Sequence, residues 1–252
     1  MLVSTPEQEP QIRTLARQLY ESGKRLGLPL LAVTANISSA KPAVVADGTL
    51  LPKLFELECE APEPDEIPHY DQPYWTQTDL ALDNALISIL RCVAEPFFYH
   101  LGEVHSWRPL DIEPTLARRV AAEPYGFSSA IIAPIYMPGS RIGAVAWASM
   151  RPHRNLASVF HAHAAQLQMA ALRFLSSCSK ASCIRAYRLT RREVQCLKLA
   201  AAGKTDGEIA TIIDVAIPTV RFHLKKAGAK LGEQGRLRIV QQAVALGYVG
   251  IH

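Results

Sequence analysis

The sequence predicts an α+β N-terminal domain, with an antiparallel sheet flanked by helices, followed by a small all-α C-terminal domain. Three observations lead there. Apolar residues hold near-3.6 spacing over residues 7–26 and 153–175 but form strand-like runs at SSAIIAPIYM and RIGAVAWASM, and strands mixed with helices without strict alternation argue for α+β. From residue 189 onward only helical patterns recur, each bounded by capping residues. Charge is also unequally divided. From Ala186 to the end there are 11 Lys+Arg and 5 Asp+Glu, net +6, against 16 and 18, net −2, in the rest, which together give the chain's +4. A basic module on a mildly acidic body points to nucleic acid at one end only.

With 252 residues, 49% hydrophobic and 20% charged, the chain can bury a sizeable core without staples. No apolar run approaches the roughly 18 residues that span a bilayer, and the acidic N-terminus lacks the basic start and apolar core of a signal peptide. A cytoplasmic protein without a membrane partner is expected. Cys59, Cys92, Cys178, Cys183 and Cys196 form no CxxC and are expected as free thiols.

In chain order, residues 7–26 read as an amphipathic helix with Ile12, Leu15, Leu19 and Leu26 on one side. LPLLAVTANI and KLFELECEA read as strands, and the Pro- and acid-rich APEPDEIPHYDQP as a loop. Helices are predicted over 78–94 and 111–122. The runs SSAIIAPIYM and RIGAVAWASM, separated by Pro138-Gly139-Ser140, predict a hairpin. A long helix follows over 153–175, with Leu156, Val159, Phe160, Leu167, Ala170, Ala171, Phe174 and Leu175 at helical spacing. The predicted divisions are a domain over 1–176, a small, polar linker over 177–188, and a second domain over 189–252.

In the second domain, Thr190 with Glu193 and Thr205 with Glu208 have capping-box spacing. Val194, Leu197 and Leu199–Ala201 form the first inward face, and Gly203 is placed to end that helix. The next helix carries Ile209, Ile212 and Ile213 and breaks at 214–216. A third runs from about Pro218 to Leu231, with Val220, Leu224, Ala227 and Leu231 as its buried stripe. Arg221, Phe222, Lys225, Lys226 and Ala229 fall outside the stripe, with Lys230 near its border. A fourth, about Arg236–Leu246, ends at Gly247. Two capped helices, a short turn and a one-sided basic face make a helix-turn-helix, whose second helix enters the major groove of double-stranded DNA. Early residues of that helix meet base edges while Lys and Arg hold phosphates. The expected DNA-facing set is Thr205, Thr219, Arg221, Phe222, Lys225, Lys226 and Lys230.

Over 189–247 the motifs LTRREVQCLKLAAAGK, EIA, TVRFH and KL resemble the DNA-binding domain of LuxR-type transcriptional regulators. Glu193, Leu197, Gly203, Ile209, Ala210, Thr219, Val220, His223, Lys230 and Leu231 fall on the family pattern, with His223 in a packing or anchoring role. Ala216 stands where the family usually has Ser opening the recognition helix, and Ala is a poor N-cap. Pro218 partly offsets this by presetting φ.

Residues 1–60 lack the paired acids, phosphate-accepting Asp and later Lys of a phosphorylated receiver. The N-terminal layout, the EPFFYH segment, LALDNAL and GFSSAIIAPIY followed by GAVAWAS instead resemble the autoinducer-binding domain of quorum-sensing members. That resemblance implies an N-acyl homoserine lactone, or a related small signal, held between sheet and helices. Asp83 then matches the acid that accepts the acyl amide N–H, and Tyr99 or Phe98 stands where a Trp donates to the lactone carbonyl. Tyr70 and Tyr74 lie 13 and 9 residues before Asp83, the spacing of a family Trp and Tyr, although an alignment placing Tyr74 or Trp75 at the Trp position is equally available. Asn84 replaces the family Pro and Ala130 a family Gly. A receptor for a different molecule, or a regulator that needs no ligand, is the alternative.

The resemblance implies a homodimer on an inverted repeat and no cofactor. An enzyme is the rival class. However, no P-loop, nucleophile elbow or dinucleotide fingerprint occurs. His161 and His163, at i and i+2 of a helix, diverge and lack a matching acid set for a metal.

Overall fold

The computed structural model describes residues 9–34, 37, 84–123, 125–139, 141–178 and 187–250. The chain forms two compact units. In chain order the first contains α1 (Glu9–Arg25), β1 (Leu30–Thr34), α2 (Ala85–Leu90), β2 (Phe97–His100), β3 (Glu103–His105), α3 (Pro114–Ala122), β4 (Ser129–Met137), β5 (Arg141–Ser149) and α4 (Leu156–Cys178). The strands form one antiparallel sheet of order β1-β5-β4-β2-β3. The predicted hairpin is β4–β5, paired from Met137↔Arg141 to Ser129↔Ser149.

Alternation along these strands separates two apolar layers. Ile131, Ala133, Ile135, Val145 and Trp147 pack with α1 and α4 through Ala16, Leu19, Phe160, Leu167, Phe174 and Leu175. The Trp147 indole donates to the Leu19 carbonyl at 2.9 Å. Gly23 permits that approach, since a Cβ there would lie 2.3 Å from the Trp147 ring. On the opposite face Ala130, Ile132, Ala144, Ala146 and Ala148 meet Leu86, Ile89 and Leu90 of α2 and Val120 of α3. One face is filled by large side chains, while the other has a floor made largely of alanine.

Several predicted elements differ. Of the predicted 78–94 helix, residues 78–83 lie outside the described residues; α2 opens at Ala85 with Asn84 as its N-cap, accepting the Ile87 N–H at 3.0 Å, and residues 91–94 leave the helix. Strands β2 and β3 were not predicted as such. The KLFELECEA strand and the APEPDEIPHYDQP loop lie outside the described residues, as do Cys59 and Cys183, whereas Cys92, Cys178 and Cys196 are free thiols. Burial pushes the Cys178 thiol up to about 11.

The second unit contains α5 (Arg191–Ala201), α6 (Asp206–Ile213), α7 (Ile217–Leu231) and α8 (Arg236–Ala245). Both capping boxes are present, with Thr190 and Glu193 on α5 and Thr205 and Glu208 on α6. Gly203 and Gly232 follow α5 and α7 at φ +78° and +75°, values that favour glycine. Cys196, Leu197, Ile209, Val220, Leu224, Ala227, Leu231, Ile239 and Ala243 form one core. Ile212, expected with Ile209 and Ile213, is instead 53% exposed, and Val194, Leu199 and Ala201 are only half-buried. No described helix is long and apolar enough to cross a membrane.

Candidate functional site

The helix-turn-helix is built from α6, a short turn and α7. Asp214 takes the left-handed conformation at φ 53° and ψ 61°, which Asp tolerates better than most residues. The Val215 N–H closes onto the Ala210 carbonyl at 3.0 Å. The chain then extends at Ala216, the N-cap of α7, whose side chain makes no cap bond. Val220, Leu224, Ala227 and Leu231 are buried and Arg221, Phe222, Lys225, Lys226 and Ala229 are exposed. The outward face predicted from spacing is therefore the outward face of the folded helix. Lys226 Nζ lies 5.5 Å from the centroid of the Phe222 ring, a cation–π contact, and that ring is 55% exposed. Thr219 and His223 are half-buried.

Two members of the predicted DNA-facing set have other tasks. Lys230 Nζ is bonded to both carboxylate oxygens of Glu193 at 2.8 and 2.7 Å, so its charge is directed into the α5 side of the domain. Burial pushes the Glu193 carboxyl up, but the Lys230 bond, the Thr190 bonds and the Lys230 charge hold it below its ordinary value. Thr205 donates its hydroxyl to Glu208 at 2.9 Å and accepts the Glu208 N–H at 3.3 Å, which commits the hydroxyl to the cap. Sequence reasoning missed Asp206. Its Oδ2 accepts from Arg221 Nε at 3.1 Å and its Oδ1 from Arg236, and Arg236 also donates to the Lys204 carbonyl. In the sequence, Asp206 reads only as an acid in the first turn of a helix.

In the first unit, the second possible site is the layer over the alanine floor. Ala130 pairs with Tyr99 in register, and both side chains belong to the α2–α3 layer. Phe98 projects to the opposite face, with its ring 5.0 Å from that of Phe160, because neighbouring strand residues point to opposite sides. Phe98 and Tyr99, the alternatives at that position, therefore lie on opposite faces of the sheet, and only Tyr99 shares the layer of Ala130. A small apolar cavity in this layer is lined by Ala32, Asn84, Leu86, Tyr125, Ile132 and Ala146.

Tyr99 meets Tyr125 and Phe127 edge-on, with centroids 5.1 and 5.5 Å away. Burial pushes its phenol above the ordinary value, opposed by a backbone hydrogen bond with Gly102. Glu123 braces the layer by accepting the Ala85 N–H at 2.9 Å, the Tyr125 hydroxyl at 3.3 Å and the Arg119 guanidinium at 2.9 Å. Tyr125, Phe127 and Glu123 were not singled out from sequence. They lie in loop or at a helix end, where no periodicity marks an inward side chain. Tyr70, Tyr74, Trp75 and Asp83 lie outside the described residues. Among the described residues no group of three or more His, Cys, Asp and Glu could hold a metal.

A capped helix-turn-helix with an outward basic face defines a DNA-binding module. The C-terminal domain matches the bacterial regulatory proteins of the luxR family over residues 187–243. It is 49% identical over 61 residues to the transcriptional activator protein VanR of Vibrio anguillarum, covering 24% of this chain and 25% of that protein. The HTH-type quorum sensing-dependent transcriptional regulator RpaR of Rhodopseudomonas palustris is 41% identical over 75 residues, 30% of this chain and 31% of that protein. The chain thus matches between a quarter and a third of the length of these relatives. The structure of SdiA in complex with octanoyl-rac-glycerol covers 96% of this chain and 91% of that one at 15% identity, with a TM-score of 0.43.

Proposed function

We propose that this protein is a ligand-responsive transcriptional regulator. It binds an inverted-repeat operator as a homodimer through residues 189–252, and its N-terminal domain takes up an N-acyl homoserine lactone or a related small signal. The observation that carries the reading is α7, whose luxR-family sequence presents Arg221, Phe222, Lys225 and Lys226 together to solvent. Thr219, half-buried at the start of the same helix, borders that face. Such a face satisfies both halves of recognition, with cations for phosphates and early helix residues for base edges.

The sensory half of the reading is supported by the alanine floor beneath α2 and by the Tyr99 phenol buried in the same layer, a group able to donate to a carbonyl. Asp83, one residue before the N-cap of α2, is the proposed acceptor for a ligand amide, with Tyr70, Tyr74 or Trp75 as its aromatic neighbours. The Tyr99–Tyr125–Phe127 cluster, in a family layer that carries Trp, favours a second reading in which the ligand is not a lactone.

The test is to purify the full chain, identify retained small molecules by mass spectrometry, and measure binding to duplexes selected from a randomised library. The expected result is a symmetric selected sequence and a retained molecule with a carbonyl group beside an apolar body. A chain that selects no duplex would overturn the DNA-binding reading. One that selects duplexes equally well with no molecule retained or added would overturn the sensory one.

A further inference from the structure

The contacts around Asp206 extend the DNA-binding reading, on which the following rests. Asp206 is the first residue of α6 and its side chain is 26% exposed. One oxygen holds Arg236, at the start of α8, and Arg236 is itself anchored on the Lys204 carbonyl. The other oxygen is 3.1 Å from Arg221 Nε. The Arg221 side chain is 71% exposed, whereas that of Arg236 is 38% exposed. Arg236 and Asp206 therefore form a fixed base, and Arg221 is the outward arm attached to it.

Arg recognises guanine through two parallel donors directed at O6 and N7. Its guanidinium has five N–H groups in a planar fork. A carboxylate on Nε uses one edge of that fork and leaves the two terminal nitrogens for a bidentate contact. It also restrains a long side chain whose rotamer freedom would otherwise be lost on binding. We infer that Asp206 is a positioning residue for base readout, holding Arg221 by Nε so that its terminal nitrogens meet guanine, with Arg236 fixing the carboxylate in turn.

This role carries a signature that a merely acidic surface residue lacks. A negative charge near phosphates weakens binding to every sequence alike, so its removal on those grounds alone raises affinity uniformly. Loss of a buttress instead lowers discrimination at the guanine position. The experiment uses the full chain as parent, Asp206→Ala, Asp206→Asn, Arg221→Ala and the Asp206→Ala/Arg221→Ala double variant. Duplexes selected by the parent from a randomised library are compared with mixed-sequence genomic DNA.

The parent should prefer guanine at one position per half-site by about 10-fold or more. Asp206→Ala should reduce that preference by roughly 3- to 10-fold, with unchanged or higher affinity for mixed-sequence DNA. Asp206→Asn keeps an oxygen for Nε and should fall between. On the Arg221→Ala background, Asp206→Ala should change the preference no further. An Asp206→Ala variant of intact melting behaviour that keeps the parent's preference and gains affinity on all DNA would overturn the buttress. A parent that selects no sequence overturns the DNA-binding reading and the buttress with it.

Discussion

Lys225, Lys226 and Lys230 share one helix and one formal charge, yet only the first two face outward without a described ion pair. Lys230 is tied to Glu193, whose side chain is 5% exposed. The difference yields a residue-scale prediction. Lys225→Ala and Lys226→Ala should weaken binding to all DNA and flatten the salt dependence, without moving the melting temperature. Lys230→Met should instead destabilise the module by about 1.5–3 kcal/mol, the range for hydrogen bonds to charged groups. Because the Glu193 carboxyl is held below its ordinary value, the pair's contribution is fully present above about pH 4.3 and is lost as pH falls through the lowered folded value. The stability gap between parent and Lys230→Met, read from urea melts, should therefore close on acidification below about pH 4. A gap that persists in acid would show that packing of the lysine stem, not the ion pair, carries the effect. The sequence placed Lys230 at the edge of the buried stripe, but its partner could not be read there. The Thr190–Glu193 spacing revealed one task of the carboxylate, and the second depends on how α5 packs on α7.

At the scale of elements, legibility followed the strength of local signals. α4, the β4–β5 hairpin and all four C-terminal helices were readable because each is long, periodic or capped by named side chains. β2 was not, since Phe97, Phe98 and Tyr99 are all buried, so an inner strand shows no polar alternation, and β3 has three residues. The extent of α2 was missed because Asn84 reads as an interior helix residue until its side chain is seen capping. The choice between Tyr99 and Phe98 likewise depended on strand phase, which becomes visible only once β2 is paired with β4. α7 offers the element-scale prediction. Ala216 is its N-cap with extended backbone at ψ 149° and no side-chain bond. A hydroxyl there would reach a first-turn N–H, so Ala216→Ser should stabilise the module by about 1 kcal/mol in chemical denaturation. An unchanged or lowered midpoint would show that Pro218 already presets the turn and leaves no donor in reach.

For the molecule as a whole, the unequal division of charge corresponds to two units with different chemistry. The first carries the apolar layer over an alanine floor and the second carries the basic helix face. A single module engages one half-site with few base contacts, whereas two tied together make the second engagement intramolecular, at an effective concentration set by the tether. If residues 1–176 supply the dimer and residues 177–188 the tether, the full chain gains affinity that the isolated module lacks. Residues 187–250 enclose a core of their own, so residues 186–252 can be tested alone. On a duplex with two half-sites about one helical turn, roughly 10 bp, apart, the full chain should bind at least 10²-fold more tightly than residues 186–252. On a single half-site the two should differ little. Inserting about 5 bp between the half-sites places them on opposite sides of the duplex and should remove most of the advantage. Fluorescence anisotropy on the three duplexes measures all of this. Equal affinity of the two proteins on the paired sites would show that the N-terminal domain adds no dimerisation, and that control by a ligand acts on the DNA-binding module through some other means.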